Sequence, residues 1–420
     1  MNKIVFVNRY FHPDESATSR LLSDLAFRLA AQGLSVSVVT SRQLYGNANA
    51  ALESEEVIGG VHVHRVATFN RGRARLSGRA LDYASFHVAA GLALLRHLKR
   101  GDVVVAKTDP PLLSVGVSRV ARLKGAVLVN WLQDLFPEVA AVLTPGLLPE
   151  RLHRGLLAAR DSSLRRAAIN VVLSPGMRQQ LVARGIDGQR IRIVPNWADT
   201  SSLTPRPTEE STIRRALGLS RRFVIGYSGN LGRAHEFETL LDTATRLKDD
   251  PQFAFLITGA GAKAQGLQRA VAAAGLGSFV FQDYQPPERL ADSLAAADVH
   301  LVSLLPALEG LIVPSKLYGI LAAGRPTVFI GSVSGDVATV IQEHGCGIAV
   351  GVGDSEKLAA TLRLWRNNLA HVRQMGENGR RLALERYGAG QSVASWNAFL
   401  TEIAPTIEAG ATKGMLTSER

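Results

Sequence analysis

A lysine that follows a proline-containing loop is the first candidate for chemistry. Lys316 comes directly after the run Glu309-Gly310-Leu311-Ile312-Val313-Pro314-Ser315. Pro314 suits the first position of a helix, where free backbone N–H groups and the positive end of the helix dipole form an anion site. Lys316 adds a full positive charge within the predicted first turn. These residues predict a diphosphate-binding loop, and the alternative is an ordinary helix start without a ligand.

A glycine-rich turn is a second candidate for anion binding. The run Ser228-Gly229-Asn230-Leu231-Gly232-Arg233 follows a predicted strand and precedes a predicted helix. Its two glycines allow the backbone to approach a ligand closely, and Asn230 and Arg233 could donate hydrogen bonds to phosphate. Glycines at such a place are also ordinary turn residues. Two anion-suited helix starts in one half of the chain are, however, what a nucleotide diphosphate requires.

A carboxylate is expected at the edge of the first sheet. Asp134 lies in the run Trp131-Leu132-Gln133-Asp134-Leu135-Phe136-Pro137-Glu138, directly after a predicted buried strand. A carboxylate at this place could orient or deprotonate an acceptor hydroxyl. The alternative is that Asp134 caps the helix that Pro137 begins.

Several catalytic classes are disfavoured by absent motifs. His62 and His64 alternate on one predicted strand, which lacks the third ligand and the spacing of a metal site. The single cysteine, Cys346, excludes an internal disulfide. The sequence contains no His-Glu-x-x-His, no Gly-x-Ser-x-Gly, no P-loop and no Asp-x-Asp motif. Metal-independent chemistry without a bound cofactor is therefore the expectation.

The alternation of apolar runs with helical segments predicts two doubly wound domains. At 420 residues the chain is too long for one compact core. Near-continuous apolar strands separated by helices indicate parallel sheets covered on both faces. The predicted helices include 19–32, 81–99 and 235–247. The predicted strands are 4–8, 35–40, 61–66, 103–107, 126–131, 169–173, 191–194, 223–227, 253–258, 279–281, 299–304, 327–330 and 347–350.

A polar segment separates the two halves. Residues 198–210 are rich in Ser, Thr, Pro and Asp and are the best linker candidate. The predicted domains are therefore 1–197 and 198–389. Two domains of this type are expected to face each other across a cleft, with ligands at the carboxyl edges of the sheets.

The positive charge of the chain is concentrated in one quarter. The net charge is +12, and residues 61–166 hold 17 basic and seven acidic residues. Apolar residues between these charges favour an anionic membrane surface over nucleic acid; a solvated basic face is the alternative. The absence of a long apolar run predicts a cytoplasmic protein at the inner face of the plasma membrane. The expected contacts are Arg71, Arg73, Arg75 and Arg79, with apolar residues that include Leu81, Phe86, Val88, Leu92, Leu94 and Leu95.

Taken in order along the chain, these motifs resemble those of the retaining GT-B glycosyltransferases, in particular the branch that builds bacterial polysaccharides on a lipid carrier. The resemblance implies two Rossmann-like domains and a nucleotide-sugar donor, expected to be UDP-linked, bound by the second domain. It implies a polyprenyl diphosphate-linked saccharide acceptor on the first domain, and a C-terminal helix near 390–420 that returns to that domain. The motifs are Tyr10-Phe11-His12-Pro13, Gln133–Glu138, Val194-Pro195-Asn196-Trp197, Tyr227–Gly232, Val313–Tyr318 and Ala323-Gly324-Arg325-Pro326.

Two departures from the family pattern concern the donor site. The family's second loop glutamate would fall at Gly319, and nine residues rather than seven separate Glu309 from that position. Asn230 and His235 stand near the places of the usual basic pair. We expect Lys316 to replace part of the phosphate contact, with backbone N–H groups of Glu309–Ile312 available to the sugar. A sugar-nucleotide epimerase of the same two-domain build is one alternative. Because Gly319 breaks the glutamate pattern, a non-catalytic nucleotide- or glycan-binding protein is another.

Overall fold

The computed structural model describes residues 3–45, 52–71, 76–146 and 149–415. Its contacts divide the chain into two compact units. The N-terminal unit runs to Pro195 and includes the C-terminal segment from Ser392, and the other unit is Asn196–Gln391. The sequence predicted the first domain to end at residue 197 and the second at residue 389, so the two boundaries differ by two residues from those of the structure.

The N-terminal unit is built on an eight-stranded sheet with strand order β3-β4-β2-β1-β5-β6-β7-β8. All neighbours pair in parallel except β3 and β4, which are antiparallel. The central strands are fully buried, as their apolar sequences require. The strands are β1 (Ile4–Val7), β2 (Val36–Ser41), β3 (Glu55–Ile58), β4 (Val61–Val66), β5 (Val103–Lys107), β6 (Val127–Trp131), β7 (Ile169–Val172) and β8 (Ile191–Ile193).

Helices cover this sheet, and the C-terminal helix packs with them. Trp396 on the last helix is fully buried, with its ring centroid 4.9 Å from that of Trp131 and 6.1 Å from that of Phe6. These aromatic contacts tie the C-terminal segment to the N-terminal sheet. The helices are α1 (Ala17–Ala31), α2 (Leu76–His97), α3 (Leu113–Lys124), α4 (Glu138–Leu143), α5 (Glu150–Arg166) and α6 (Pro175–Ala183), with the last helix, Ala389–Met415, labelled α15 below.

Helix α2 separates its apolar residues between two faces. Phe86 and Leu94 lie in the core with no exposed surface, so their predicted place on a membrane-facing surface is wrong. The outward face instead carries four exposed apolar side chains at helical spacing. These are Leu81, Val88, Leu92 and Leu95.

The second unit contains a six-stranded, wholly parallel sheet with strand order β11-β10-β9-β12-β13-β14. Because the strand order reverses between β9 and β12, the carboxyl ends of these two strands form the topological switch point, where ligands of such sheets bind. The strands are β9 (Phe223–Ser228), β10 (Phe253–Thr258), β11 (Phe279–Gln282), β12 (Val299–Ser303), β13 (Thr327–Ile330) and β14 (Gly347–Val350).

Eight helices lie in this unit among the described residues. The segment predicted as a linker is held to them, because Arg380 donates hydrogen bonds to the carbonyls of Thr200 (2.9 Å) and Leu203 (2.7 Å). The helices are α7 (Thr212–Ala216), α8 (Glu238–Arg246), α9 (Ala264–Ala273), α10 (Leu290–Ala295), α11 (Lys316–Ala322), α12 (Asp336–Glu343), α13 (Ser355–Asn367) and α14 (Leu369–Arg386).

Three of the differences between the predicted and the observed elements have a local cause. Strand β3 was missed, because its Glu-Glu-Val-Ile sequence lacks the apolar run of a buried strand. Helix α8 begins at Glu238 rather than at 235, which leaves His235 in a loop. Helix α11 begins at Lys316 after Ser315, so Pro314 precedes the helix instead of occupying its first position.

Among the described residues, no helix combines the length and apolar character needed to cross a membrane.

Candidate functional site

The candidate site of the second unit lies at the switch point of its sheet. The loop that follows β9 contains the glycine-rich turn, and the loop that follows β12 leads to Lys316. The two segments meet directly, since the Lys316 ammonium lies 3.3 Å from the carbonyl oxygen of Asn230. The structure therefore brings together the two anion-binding candidates of the sequence.

Lys316 is surrounded by neutral groups. Its ammonium lies 3.0 Å from Nε2 of His235 and 4.8 Å from the centre of the Tyr227 ring. No carboxylate pairs with it among the residues that the structure describes. Burial lowers the pKa of Lys316 to about 8, because desolvation disfavours the charged form. A ligand with negative charge would relieve this penalty.

His235 presents a lone pair to Lys316. Its Nδ1 lies 2.6 Å from the carbonyl oxygen of Ser303, so Nδ1 carries the proton and Nε2 is the acceptor. Burial, followed by the charge of Lys316, lowers the pKa of His235 to about 4. The imidazole is therefore neutral near pH 7 and can hold the lysine ammonium in place.

A second lysine approaches the same loop. Lys263 donates a 2.6 Å hydrogen bond to the carbonyl oxygen of His235. The hydroxyl of Tyr227 donates to the carbonyl oxygen of Asn230 at 2.7 Å. These bonds satisfy the carbonyl oxygens of the turn and leave its amide groups to other partners.

The glycine-rich turn packs closely against Lys316. Gly229 has φ +128°, and a Cβ atom there would lie only 2.9 Å from Cε of Lys316, so glycine is needed both for conformation and for space. Within the described chain, the amide N–H groups of Asn230, Gly232 and Arg233 have no hydrogen-bond acceptor. Ser228 is half-buried at the end of β9, whereas the Arg233 side chain is exposed.

The loop before Lys316 forms more hydrogen bonds within itself than the sequence indicated. The N–H groups of Glu309, Leu311 and Ile312 donate to carbonyls of the same loop, those of Pro306 and Leu308. The sequence predicted these N–H groups to be available to the sugar, but these three are already bonded within the loop. The amide N–H groups of Ser315 and Lys316 have no acceptor in the described part of the chain. The N–H donors available to a ligand therefore lie at Lys316 and the residue before it, rather than at Glu309, Leu311 and Ile312.

The other predicted residues of this loop have supporting contacts. One carboxylate oxygen of Glu309 accepts a 2.8 Å hydrogen bond from the N–H of Asp336, the first residue of α12. Burial raises the pKa of Glu309. Leu311 and Pro314 are buried, and Gly310 has φ +70°. The Glu309 carboxylate of this loop is therefore held by α12, and the apolar side chains of Leu311 and Pro314 pack in the interior.

Asp134 belongs to the N-terminal unit. It follows β6, and its carboxylate accepts a hydrogen bond from the side chain of Thr108, while burial raises its pKa. Helix α4 begins at Glu138 without a side-chain cap, so the capping alternative for Asp134 is wrong. Glu138 instead pairs with Arg160 at 2.6 Å, which anchors the segment that follows Asp134.

Sequence reasoning missed three contributors to the Lys316 environment. Tyr227 is the penultimate residue of β9, Ser303 is the last residue of the neighbouring β12, and Lys263 lies 53 residues before Lys316. Their positions at the carboxyl ends of β9, β12 and β10 were a usable signal, because parallel strands bring these ends to one edge.

Comparison with known proteins agrees with this architecture. Residues 17–197 match the family described as glycosyl transferase 4-like domain, and residues 209–382 match glycosyl transferases group 1. WcaI of Escherichia coli K12, assigned as a colanic acid biosynthesis glycosyl transferase, is 25% identical over 375 residues, which cover 86% of this chain and 91% of WcaI. WbjE of Pseudomonas aeruginosa, assigned as a glycosyltransferase, is 28% identical over 281 residues, 66% of this chain and 69% of WbjE.

A solved structure shares the fold. HepE of Anabaena, crystallised with UDP and glucose, superposes with a TM-score of 0.72 at 16% identity, over 96% of this chain and all of that chain. The predicted fold class, two Rossmann-like domains of the GT-B type, is confirmed. The chain therefore belongs to the group 1 glycosyltransferases, with a glycosyl transferase 4-like domain in its N-terminal half.

Proposed function

We propose that this glycosyltransferase moves a sugar from a UDP-linked donor to a lipid-linked saccharide in the synthesis of a bacterial cell-surface polysaccharide. The observation that carries the proposal is the Lys316 ammonium, which lies beside free amide groups at the switch point and lacks a carboxylate partner among the described residues. WcaI supports the polysaccharide context by its assignment, and HepE supports UDP by its bound ligand.

The donor diphosphate is proposed to lie between the glycine-rich turn and Lys316. Amide groups of Asn230, Gly232 and Arg233 would bind phosphate oxygens, as such backbone concavities do elsewhere. The Arg233 side chain is exposed and can close over the ligand. Positive charge fixed where negative charge develops on the leaving group would be the largest catalytic contribution.

The donor sugar is proposed to contact the loop from Glu309 to Ser315. One carboxylate oxygen of Glu309 is buried against Gly335 without a hydrogen-bond partner in the described chain, so it would accept from a sugar hydroxyl once the loop opens toward the donor. Amide groups at Ser315 and Lys316 would serve as donors. The sugar's identity depends on side chains around this loop.

Asp134 is proposed to orient or deprotonate the acceptor hydroxyl. Its raised pKa and its hydrogen bond to Thr108 place a poorly solvated carboxylate after β6 of the N-terminal unit. We propose retention of anomeric configuration, by front-face attack in which the leaving diphosphate assists proton removal. The family resemblance carries this proposal, and NMR of the product's anomeric proton would test it.

We also propose peripheral attachment to an anionic membrane. The exposed apolar residues of α2 (Leu81, Val88, Leu92 and Leu95), here called the apolar stripe, are followed by three exposed basic residues, Arg96, Lys99 and Arg100. An apolar stripe next to positive charge suits the headgroup region of a bilayer. Arg71 is exposed and Arg79 half-buried, whereas Arg73 and Arg75 lie outside the described residues.

An assay of nucleotide release tests the proposed reaction. The protein is incubated with a panel of nucleotide sugars, with and without an extract of polyprenyl diphosphate-linked saccharides, and free UDP is measured. We expect UDP release that requires the lipid extract. Interconversion of the sugar nucleotide without an acceptor would indicate an epimerase, and no consumption of any donor would indicate a binding protein.

Vesicle sedimentation tests the membrane proposal. Replacing Arg71, Arg73 and Arg75 by Glu should release the protein from anionic vesicles, because each basic residue near the surface contributes about 1 kcal/mol. The matched control replaces three exposed arginines of the second unit, Arg221, Arg269 and Arg373. Equal partitioning of both variants, or partitioning insensitive to salt, would contradict the proposal.

A further inference from the structure

Three metal-ligating side chains converge on the outer edge of the N-terminal unit. Glu55 lies on β3, His64 on β4, and His97 is the last residue of α2. In the antiparallel pair of β3 and β4, Glu55 is directly opposite His64. One ligand atom from each of the three side chains lies within 4.8 Å of those of the other two.

The spacing of these atoms is close to that of a tetrahedral site. Oε1 of Glu55 lies 3.4 Å from Nδ1 of His64. Ligand atoms at zinc bond lengths of about 2.0–2.2 Å are separated by about 3.4 Å in a tetrahedron. Nδ1 of His64 is buried and forms no hydrogen bond within the described chain. This nitrogen therefore lies close to the carboxylate but is not engaged in a hydrogen bond among the described residues.

The imidazole of His97 completes the group. Its ring stacks on that of His64, with centroids 4.0 Å apart and 25° between the ring planes. The lone pairs of stacked imidazoles lie in nearly parallel planes, so coordination of one ion requires one ring to tilt away from the other. His97 is half-buried at the end of its helix, and its side chain would have to rotate to allow this change.

We propose that Glu55, His64 and His97 form a site for a Zn²⁺ ion. Two imidazole nitrogens and one carboxylate oxygen are a ligand set that zinc favours and that magnesium and calcium do not. The Glu55 side chain is 69% exposed and that of His64 is 19% exposed. The fourth coordination position therefore opens to solvent and is available to a water molecule.

Among the charged groups near the three side chains, Glu55 is the one that attracts a cation. The ammonium of Lys3 donates to the carbonyl oxygen of His97 at 2.9 Å, and Arg96 is the adjacent residue. Both raise the local positive potential, and Glu55 opposes it. The carbonyl end of α2 contributes the negative end of its helix dipole. The carboxylate is therefore the ligand on which binding of a divalent ion should depend most.

Such an ion would join the end of helix α2 to the hydrogen-bonded pair of strands β3 and β4. Strand β3 is the edge of the sheet and pairs only with β4. Helix α2 carries the exposed apolar stripe on its outward face. A metal that links His97 to the β3–β4 pair would fix the end of this helix on the sheet and stabilise the N-terminal unit by mass action.

Calorimetric titration of ZnCl₂ into the full chain, freed of any purification tag, tests the site. We expect one zinc ion per chain and at least about tenfold weaker binding in Glu55→Gln, His64→Gln and His97→Gln, because each removes a direct ligand. Cobalt(II) should give the intense visible absorption of a tetrahedral complex in the wild type and not in these variants. Zinc should also raise the unfolding midpoint of the wild type alone.

His62→Gln is the matched control, because His62 is exposed two residues along the same strand. It should leave zinc binding unchanged. The site is overturned if His97→Gln keeps wild-type affinity or if His62→Gln loses affinity equally, and either result would indicate an adventitious ion only. It is also overturned if the wild type binds no zinc. If His97→Gln fails to fold, Glu55→Gln decides, since that side chain is mostly exposed.

Discussion

Lys107 and Lys316 occupy comparable places in the two units but have opposite surroundings. Lys107 ends β5 beside the switch point of the N-terminal sheet, and Lys316 follows the loop after β12 in the second sheet. Each ammonium lies near a carbonyl oxygen and over an aromatic ring. Lys107 is enclosed, with 2% of its surface exposed, whereas Lys316 is half-buried beside free amide groups.

The difference shows that a buried cation is a ligand-binding candidate only when its neighbours leave room for an anion. Lys107 donates to the carbonyl oxygen of Thr18 at 2.8 Å and lies 3.8 Å from the centre of the Trp131 ring. Burial lowers its pKa well below the usual value. Other cations of that sheet edge have carboxylate partners, as Arg9 has in Asp82 at 3.7 Å. We therefore expect these groups to stabilise the unit rather than to bind a ligand.

The largest effect should come from exchanging each lysine for methionine. Lys316→Met should lower turnover about 100- to 1,000-fold, the typical cost of removing a group that stabilises developing negative charge, with little change in stability. Lys107→Met should keep turnover near the wild-type value and lower stability by about 1 kcal/mol, because Thr18 loses a hydrogen bond. Initial rates of UDP release and calorimetric unfolding measure both effects.

Lys248→Met is the control for exposed lysines of the second unit and should behave as the wild type. The comparison fails if Lys107→Met and Lys316→Met lose turnover to the same extent.

A smaller and more selective effect is expected at Asp134. Asp134→Asn should lower acceptor-dependent turnover about 100-fold, at the lower end for loss of a general base, and should leave UDP affinity unchanged. This division would separate acceptor chemistry in the N-terminal unit from donor binding in the second. Steady-state rates and calorimetric UDP binding provide the two measurements.

Thr108→Val refines this test. It removes the hydrogen bond that favours the Asp134 carboxylate, so the pKa should rise further and the acidic limb of the pH profile should move to higher pH. A loss of UDP affinity in Asp134→Asn would contradict the assignment.

The smallest expected effect concerns pH. The pKa of Lys316 is lowered to about 8, so its ammonium is present below this pH and is lost as the pH rises through it. UDP affinity should therefore fall several-fold between about pH 7 and pH 9, as the charge contributing roughly 1.5–3 kcal/mol in a hydrogen bond is removed. Calorimetry across this range gives the measurement.

Lys316→Arg should bind UDP with an affinity that no longer changes over this range, because a guanidinium remains charged. The same decline in Lys316→Arg would show that another group is titrating.

Much of the fold could be predicted from the pattern of apolar runs. The strands Val103–Lys107, Phe253–Thr258 and Thr327–Ile330 have the predicted bounds, because buried parallel strands are apolar along most of their length. Val61–Val66 also has the predicted bounds, although its sequence alternates apolar and polar residues. Helix starts were less accurate, since His235 and Pro314 were placed inside helices. Hydrogen bonds within the following loops decide these starts, and such bonds leave a weak signal in the sequence.

The sequence by itself determined the two domains, the family and the two segments that meet around Lys316, because apolar periodicity and glycine or proline turns are local properties. Only the tertiary structure decided which cations lack a carboxylate and which amide groups remain free among the described residues. It also decided that Glu55, His64 and His97 lie together. These relations depend on side chains far apart in the chain, which become neighbours only when parallel strands and their helices pack.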